Sequence, residues 1–167
     1  DTIIGDGLEQ GTKLGPLQNK MQYEKVKELI ESARQDGNIV AGGEVPDQSG
    51  YFIRPTIVRD VAEGSRIVDE EQFGPVLPVI RFSDEGDAIA RANNSDYGLG
   101  GSVWSSDLDR AYDVANQMNT GTVWINKHAE LDPGIPFGGS KQSGLGNELG
   151  MEGLKEFTQL KMINMAR

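Results

Sequence analysis

The sequence predicts an α/β fold with a largely parallel sheet flanked by helices. Three observations carry that expectation. From residue 76 onward, short apolar runs and helix-period segments follow each other as strand, helix, strand, helix, strand, the order of right-handed parallel crossovers. Capping residues stand where those helices should begin, at Ser83 and then at Ser106 or Asp107. Glycine, at 22 of 167 residues, is about twice its average usage and predicts tight turns and close backbone approaches.

The elements can be justified in order. The segment to Gln18 is turn-rich, with Gly5, Gly7, Gly11 and Gly15-Pro16. A helix is expected from about Asn19 to Asp36, with Asn19 as N-cap and Gly37 as a left-handed C-terminal cap. Tyr23, Val26, Leu29, Ile30 and Ala33 form its apolar stripe. Short strands are expected at Asn38–Ala41 and Tyr51–Val58, the second limited to an edge or bulge by Pro55. Val76–Phe82 reads as a strand. Ser83 caps a helix with Asp84 and Glu85 in its first turn, ending near Asn93-Asn94. Leu99–Trp104 is a strand, followed by a helix to about Met118 that should bury Leu108, Ala111, Tyr112 and Ala115. Thr122–Asn126 is the next strand, with Trp104 and Trp124 expected in the core. A long loop, Lys127–Gly146, then precedes a short helix, Met151–Phe157, and a closing strand, Leu160–Asn164. Loops of that length are usually functional.

Composition excludes several classes. Lys plus Arg total 16 against 26 Asp plus Glu, so the net charge is −10, which opposes a nucleic-acid partner. No apolar run approaches the roughly 20 residues of a membrane helix. Cysteine is absent, which removes disulfides, thiolate metal sites and a thiol nucleophile from this chain. That fits a reducing compartment, and a cytoplasmic protein is expected. The opening residues lack the basic and apolar regions of a signal peptide, and there is no initiator Met. The chain is therefore expected to be a fragment. No metal site is expected, since His128 is the only histidine and has no ligand cluster around it.

Several segments can carry chemistry. In Asp69-Glu70-Glu71-Gln72-Phe73-Gly74-Pro75, a carboxylate could accept two hydrogen bonds from a ribose diol, and Phe73 could lie against a planar ring. The competing reading is a solvated acidic turn with Phe73 anchored in the core. Gln22 and Lys25 share a helix face, Gln22 on the apolar stripe and Lys25 beside it, placed either to reach a ligand or for ordinary surface pairing. The loop after Asn126 follows the carboxyl end of a strand, where open parallel sheets bind ligands. It contains Pro136-Phe137-Gly138-Gly139 and Lys141-Gln142-Ser143-Gly144-Leu145-Gly146. The last glycines lack the spacing and the preceding strand of a dinucleotide fingerprint. Ser140 and Ser143 lack a nucleophile elbow.

Four ordered motifs point to a family: Glu70-Glu71-Gln72-Phe73-Gly74-Pro75-Val76, Asn93-Asn94-Ser95-Asp96-Tyr97-Gly98-Leu99, Gly121-Thr122-Val123-Trp124-Ile125-Asn126, and Pro136-Phe137-Gly138-Gly139-Ser140-Lys141-Gln142-Ser143-Gly144. Together with Gly15-Pro16-Leu17 they resemble the NAD(P)-dependent aldehyde dehydrogenases over nearly the whole chain. The resemblance implies an incomplete aldehyde dehydrogenase catalytic domain over 1–146, with 147–167 a C-terminal helix and strand contacting the oligomerisation region. It implies that an N-terminal coenzyme domain, the cysteine nucleophile, the general-base glutamate and the oxyanion-hole asparagine all lie upstream. The parent would oxidise an aldehyde to a carboxylic acid with NAD or NADP, as a homo-oligomer, and the fragment alone would be inactive. By the same resemblance, Glu71 holds the nicotinamide ribose, Phe73 packs by the nicotinamide, and Gln22 and Lys25 reach the ribose end. Phe137 borders the aldehyde. Lys127–Ile135 shapes substrate entry, with His128 and Leu131 in the substrate pocket, and is more polar than in relatives selective for large apolar aldehydes. Two alternatives remain: a stand-alone binding module of the same fold, and a reductase of the same superfamily working through acyl-CoA or acyl phosphate. The Glu-x-Phe-Gly-Pro segment favours the hydrolytic branch over the latter.

Overall fold

A computed structural model describes residues 2–166, which divide into two compact units, one up to Arg81 and one from Phe82 onward. In the first unit, helix α1 (Lys20–Asp36) is followed by strands β1 (Asn38–Ala41) and β2 (Thr56–Arg59), a single turn α2 (Arg66–Asp69) and strand β3 (Val76–Val79). The strands form one sheet in the order β1-β2-β3, with β1 antiparallel to β2 and β2 parallel to β3. Asn19 caps α1, its side chain accepting from the backbone N–H of Gln22 at 2.9 Å. The predicted stripe is the buried face: Val26, Leu29, Ile30 and Ala33 pack against Ile53, Val58, Val61, Ile67 and Val76. Period-3.6 spacing on the helix and period-2 alternation on the strands meet in this one core.

The alternation also shows what is left uncovered. Thr56, Val58 and Val76 point to α1, whereas Ile57, Leu77 and Val79 point the other way and are exposed, Leu77 to 59%. Parallel strand pairs are normally covered on both faces. Here one face is covered by α1 and the other is bare apolar surface.

The second unit contains α3 (Glu85–Asn93), β4 (Tyr97–Gly98), β5 (Gly100–Val103), α4 (Leu108–Gln117), β6 (Thr122–Ile125), β7 (Ser140–Lys141) and α5 (Gly150–Glu156). Strands β5 and β6 pair in parallel, and β4 pairs with β7 antiparallel. Gly121 enters β6 so close to the Gly138 carbonyl that a Cβ would overlap that oxygen. This unit buries little: Ala111 and Trp124 are its buried hydrophobic side chains among the described residues. Helix α3 buries none, and a groove of about 510 Å³ runs beside it, lined by Ala88, Ile89, Ala92, Val114 and Trp104.

Several expectations are corrected. Asp84, not Ser83, caps α3, because its carboxylate accepts from the N–H of Asp87 at 2.8 Å. Asp107 caps α4 in the same way. Gly37 ends α1 with an extended backbone (φ −161°) rather than a left-handed one, since the chain turns straight into β1. The strand expected from Tyr51 forms only after Pro55, which lacks the N–H to join the ladder. Leu108, Tyr112 and Trp104 are exposed rather than core, Trp104 to 66%. The closing strand Leu160–Asn164 is absent: beyond Thr158 the described chain has no regular structure, because no strand lies beside it to pair with. The turn α2 and the two-residue strands β4 and β7 were not expected, being too short to leave a periodic signature.

The two faces of the first sheet should respond differently to truncation. Leu29→Ala, at a fully buried site, is expected to destabilise by roughly 2–5 kcal/mol. Leu77→Ser on the bare face should change stability by less than about 0.5 kcal/mol. Thermal or urea melts of the 167-residue chain read both, and equal losses would overturn the one-sided core.

Candidate functional site

The acidic turn before β3 is fastened to α1. Lys25 Nζ donates to the Glu71 carbonyl at 2.7 Å, and the Gln22 side-chain amide donates to the Gln72 carbonyl. The Gln72 side chain in turn donates to the Val76 carbonyl at 2.5 Å. Backbone bonds complete the fastening: the Val76 N–H donates to the Gly74 carbonyl and the Thr56 N–H to the Pro75 carbonyl, both at 2.8 Å. Gly74 sits against α1, where a Cβ would lie 2.6 Å from Val26 Cγ2.

Held this way, the turn presents two side chains outward. Phe73 is 75% exposed and has φ of +47°, a left-handed backbone that a bulky residue rarely adopts. The core-anchored reading of Phe73 is therefore wrong. The two adjacent carboxylates differ. Glu70 is engaged by Arg66, with Nε–Oε1 at 2.6 Å and Nη2–Oε2 at 3.2 Å, and that pairing holds its carboxyl below the ordinary range. Glu71 is exposed, and its carboxylate makes no hydrogen bond or ion pair with the described residues. An unengaged carboxylate can accept from a ribose diol, and an exposed aromatic ring two residues on can lie against a planar ring. The residues present fit the nicotinamide end of a dinucleotide. Gln22 and Lys25, expected to reach that end themselves, instead have donors on the turn's own carbonyls. Gln72 was not singled out by sequence reasoning, because an amide one residue from an aromatic has no periodic signature.

In the second unit, the loop after β6 gathers aromatic rings. Trp124 is buried, as expected, with its ring 5.5 Å from that of His128, edge-on, and 6.5 Å from that of Phe137. Its Nε1–H donates to the Glu130 carbonyl at 2.9 Å, tying the loop back onto the strand. The Phe137 backbone exchanges two bonds with Glu148, at 2.8 and 2.7 Å. Phe137 also lines a cleft of about 370 Å³ with Leu99, Gly139, Ser143 and Leu145. His128 and Leu131 are exposed on the loop, and His128 joins the ring cluster.

The glycine-rich stretch is suspended from the end of α3. Lys141 Nζ donates to the Asn93 carbonyl at 2.8 Å, while the Asn93 side chain donates to the Gln117 carbonyl and accepts from the Asn119 N–H, both at 2.7 Å. Ser143 Oγ accepts from the Gly98 N–H at 2.9 Å. The serines are thus spent on backbone, consistent with their lacking a nucleophile's surroundings. Among the described residues, no group of three or more His, Cys, Asp or Glu could hold a metal ion, and no helix is long and apolar enough to cross a membrane.

Comparison with known proteins identifies the family. The model of the aldehyde dehydrogenase family matches residues 1–163. A betaine aldehyde dehydrogenase from Rhizobium leguminosarum is 44% identical over 165 residues, covering 96% of this chain and 34% of the relative. A succinate-semialdehyde dehydrogenase [NADP(+)] from Deinococcus radiodurans is 45% identical over 162 residues, with the same coverage of each. An NAD+ complex of an aldehyde dehydrogenase from Bacillus cereus superposes with a TM-score of 0.89 at 42% identity, over 96% of this chain and 33% of the other. The chain belongs to the aldehyde dehydrogenase family, and it spans about a third of the length of the curated relatives it matches.

The close seat of Gly74 on α1 gives a direct test of the turn. Gly74→Ala must displace Val26 or lift the turn, and should destabilise by roughly 1–3 kcal/mol. Paired with Val26→Ala, which makes room for the new methyl, most of that loss specific to Gly74→Ala should disappear in a double-mutant cycle of melting curves. Strictly additive losses would show that the two groups do not meet.

Proposed function

We propose that this member of the aldehyde dehydrogenase family is a part of an enzyme that oxidises an aldehyde to a carboxylic acid with NAD+ or NADP+. The balance of that reaction is one aldehyde, one oxidised cofactor and one water giving a carboxylate, a reduced cofactor and two protons. The observation that carries the reading is the Glu71–Phe73 turn: a free carboxylate and a bare ring two residues apart on a backbone fastened to α1. When bound, the nicotinamide accepts the hydride. In this chain, Glu71 accepts hydrogen bonds from the ribose hydroxyls and Phe73 supports the planar ring, so the cofactor is oriented as well as bound. Gln22 and Lys25 serve the same end of the cofactor through the turn, whose Gln72 and Glu71 carbonyls they hold. Phe137, with His128 and Leu131, forms the wall of the aldehyde pocket.

The covalent chemistry belongs to residues outside this chain, which contains no cysteine. A cysteine thiolate, an oxyanion hole and a general base elsewhere in the parent complete the reaction. We propose that 1–146 form part of the catalytic domain, and that 147–167 face the oligomerisation region of a homo-oligomer. The bare faces support this arrangement. Ile57, Leu77 and Val79 on one sheet, and Phe157, Leu160, Met162, Ile163 and Met165 on the terminal segment, are more apolar surface than an isolated domain usually leaves to water. Lacking those covers, the isolated chain should self-associate in concentration-dependent light scattering.

The decisive experiment compares the 167-residue chain with the complete protein. The chain alone should produce no reduced cofactor from a panel of short, charged and aromatic aldehydes, and the complete protein should. In the complete protein, Glu71→Gln and Phe73→Ala should each lower kcat/KM for the cofactor by roughly 10- to 100-fold through lost orientation. Turnover by the isolated chain, or an unchanged cofactor kcat/KM in both variants, would refute the reading.

A further inference from the structure

The left-handed backbone at Phe73 is unfavourable for a residue with a side chain, so something must hold it there. The peptide plane preceding Phe73 carries the Gln72 carbonyl, and that carbonyl accepts the Gln22 side-chain amide. The next plane back carries the Glu71 carbonyl, which accepts Lys25 Nζ at 2.7 Å. Those two bonds orient the chain entering Phe73. The chain leaving it is closed by the Gln72 side chain, which reaches across the turn to the Val76 carbonyl at 2.5 Å. Gln72 is thus the link common to both sides of Phe73: its carbonyl is held by α1, and its amide holds the start of β3.

We infer that Gln72 is a positioning residue for the cofactor, acting with Gln22 as a two-amide relay that sets the backbone of Phe73 and hence the direction of its ring. The inference rests on the reading of Glu71 and Phe73 as the nicotinamide-end site. Gln72 needs no contact with the cofactor to do this. Its effect passes through Phe73, as a neutral hydrogen bond can hold a strained residue whose alternative conformations lie close in energy. An apolar residue of equal volume would fill the same space and leave the Val76 carbonyl without this donor.

The test uses the complete protein with Gln72→Leu, Gln22→Leu and the double variant, together with Phe73→Ala. In the cofactor-free protein, amide exchange of the peptide covering residues 71–77 should speed up by roughly 5- to 10-fold in Gln72→Leu while peptides of α4 stay unchanged. NAD+ affinity by calorimetry should weaken only a few-fold. kcat should fall by roughly 10-fold or more, with a larger primary isotope effect from an aldehyde deuterated at the transferred position, because misplacement slows hydride transfer itself. The double variant should be little worse than the worse single one, since Gln72→Leu keeps the carbonyl that Gln22 holds and either variant alone already frees the backbone of Phe73 on one side. A loss of kcat with unchanged isotope effect and unchanged exchange at 71–77 would mean a reduced active fraction and overturn the inference. So would additive effects of Gln22→Leu and Gln72→Leu. If Phe73→Ala is itself silent, both the inference and the site reading fail. If Phe73→Ala is damaging while Gln72→Leu is silent, only the inference fails.

Discussion

The structure depends on how one face of α1 is divided between burial and hydrogen bonding. Val26, Leu29, Ile30 and Ala33 are committed to the core, while Gln22, one turn before Val26, and Lys25, beside it, reach the carbonyls of a turn about fifty residues away. The helix is therefore both the lid of the first sheet and the anchor of the Glu71–Phe73 turn. These roles cannot be separated, because Gly74 rests on Val26, the first core residue of the stripe. A rotation of α1 large enough to free the turn would pull that stripe out of the core. Burial of apolar area thereby fixes the position of polar groups that contribute little to stability themselves.

That coupling explains why the polar tips can be exposed without being loose. Glu71 and Phe73 sit at the surface, where side chains ordinarily sample several rotamers. Their backbone, however, is fixed at Glu71, Gln72, Gly74, Pro75 and Val76 by bonds to α1, to β2 and within the turn. The division of labour between Glu70 and Glu71 belongs to the same scheme. Arg66 on α2 engages Glu70, which leaves the following carboxylate free. Two adjacent acidic residues that look equivalent in the sequence are made unequal by one arginine four residues upstream.

The sequence made α1 legible because its stripe, cap and length all agree, and consistency of that kind is the strongest local signal. It also placed α3, α4, β5 and β6 to within a residue or two. It misplaced Leu108, Tyr112 and Trp104, because apolar residues at the right spacing were assumed to meet a partner and no described residue covers them. The strand expected at Leu160–Asn164 failed for the same reason: its apolar pattern specifies a strand only when another strand is present to accept its hydrogen bonds. At the site, Glu71 and Phe73 were legible from the composition of the turn and from family resemblance. The true partners of Gln22 and Lys25 were not, since a bond to a carbonyl leaves no trace in the identity of the residue that owns it. The resemblance singled out Glu71, whereas the physical difference between the two carboxylates, the engagement of Glu70 by Arg66, needed coordinates.

Backbone strain offers an independent way to locate what this chain is built to present. The residues other than glycine with left-handed φ are Asp60, Phe73, Asn126, Ala129, Lys141 and Leu149 among those described. Three of these, Phe73, Asn126 and Ala129, fall in the turn before β3 or in the loop that follows β6, and Lys141 ends β7. Asn126 has a local explanation, since its side chain accepts from the Ser105 N–H and donates to the Ser105 carbonyl. Lys141 has one as well, through its ammonium on Asn93 and its pairing with Tyr97. Ala129 has no side-chain bond to offset its conformation. It lies between His128, which meets Trp124, and Glu130, whose carbonyl accepts the indole N–H. The strain at Ala129 is thus what allows two neighbouring residues to grip the same indole from different sides. At Phe73 the left-handed backbone turns a ring toward solvent, and at Ala129 it folds a loop back onto an aromatic cluster. In both places an unfavourable φ is maintained by contacts on either side of it.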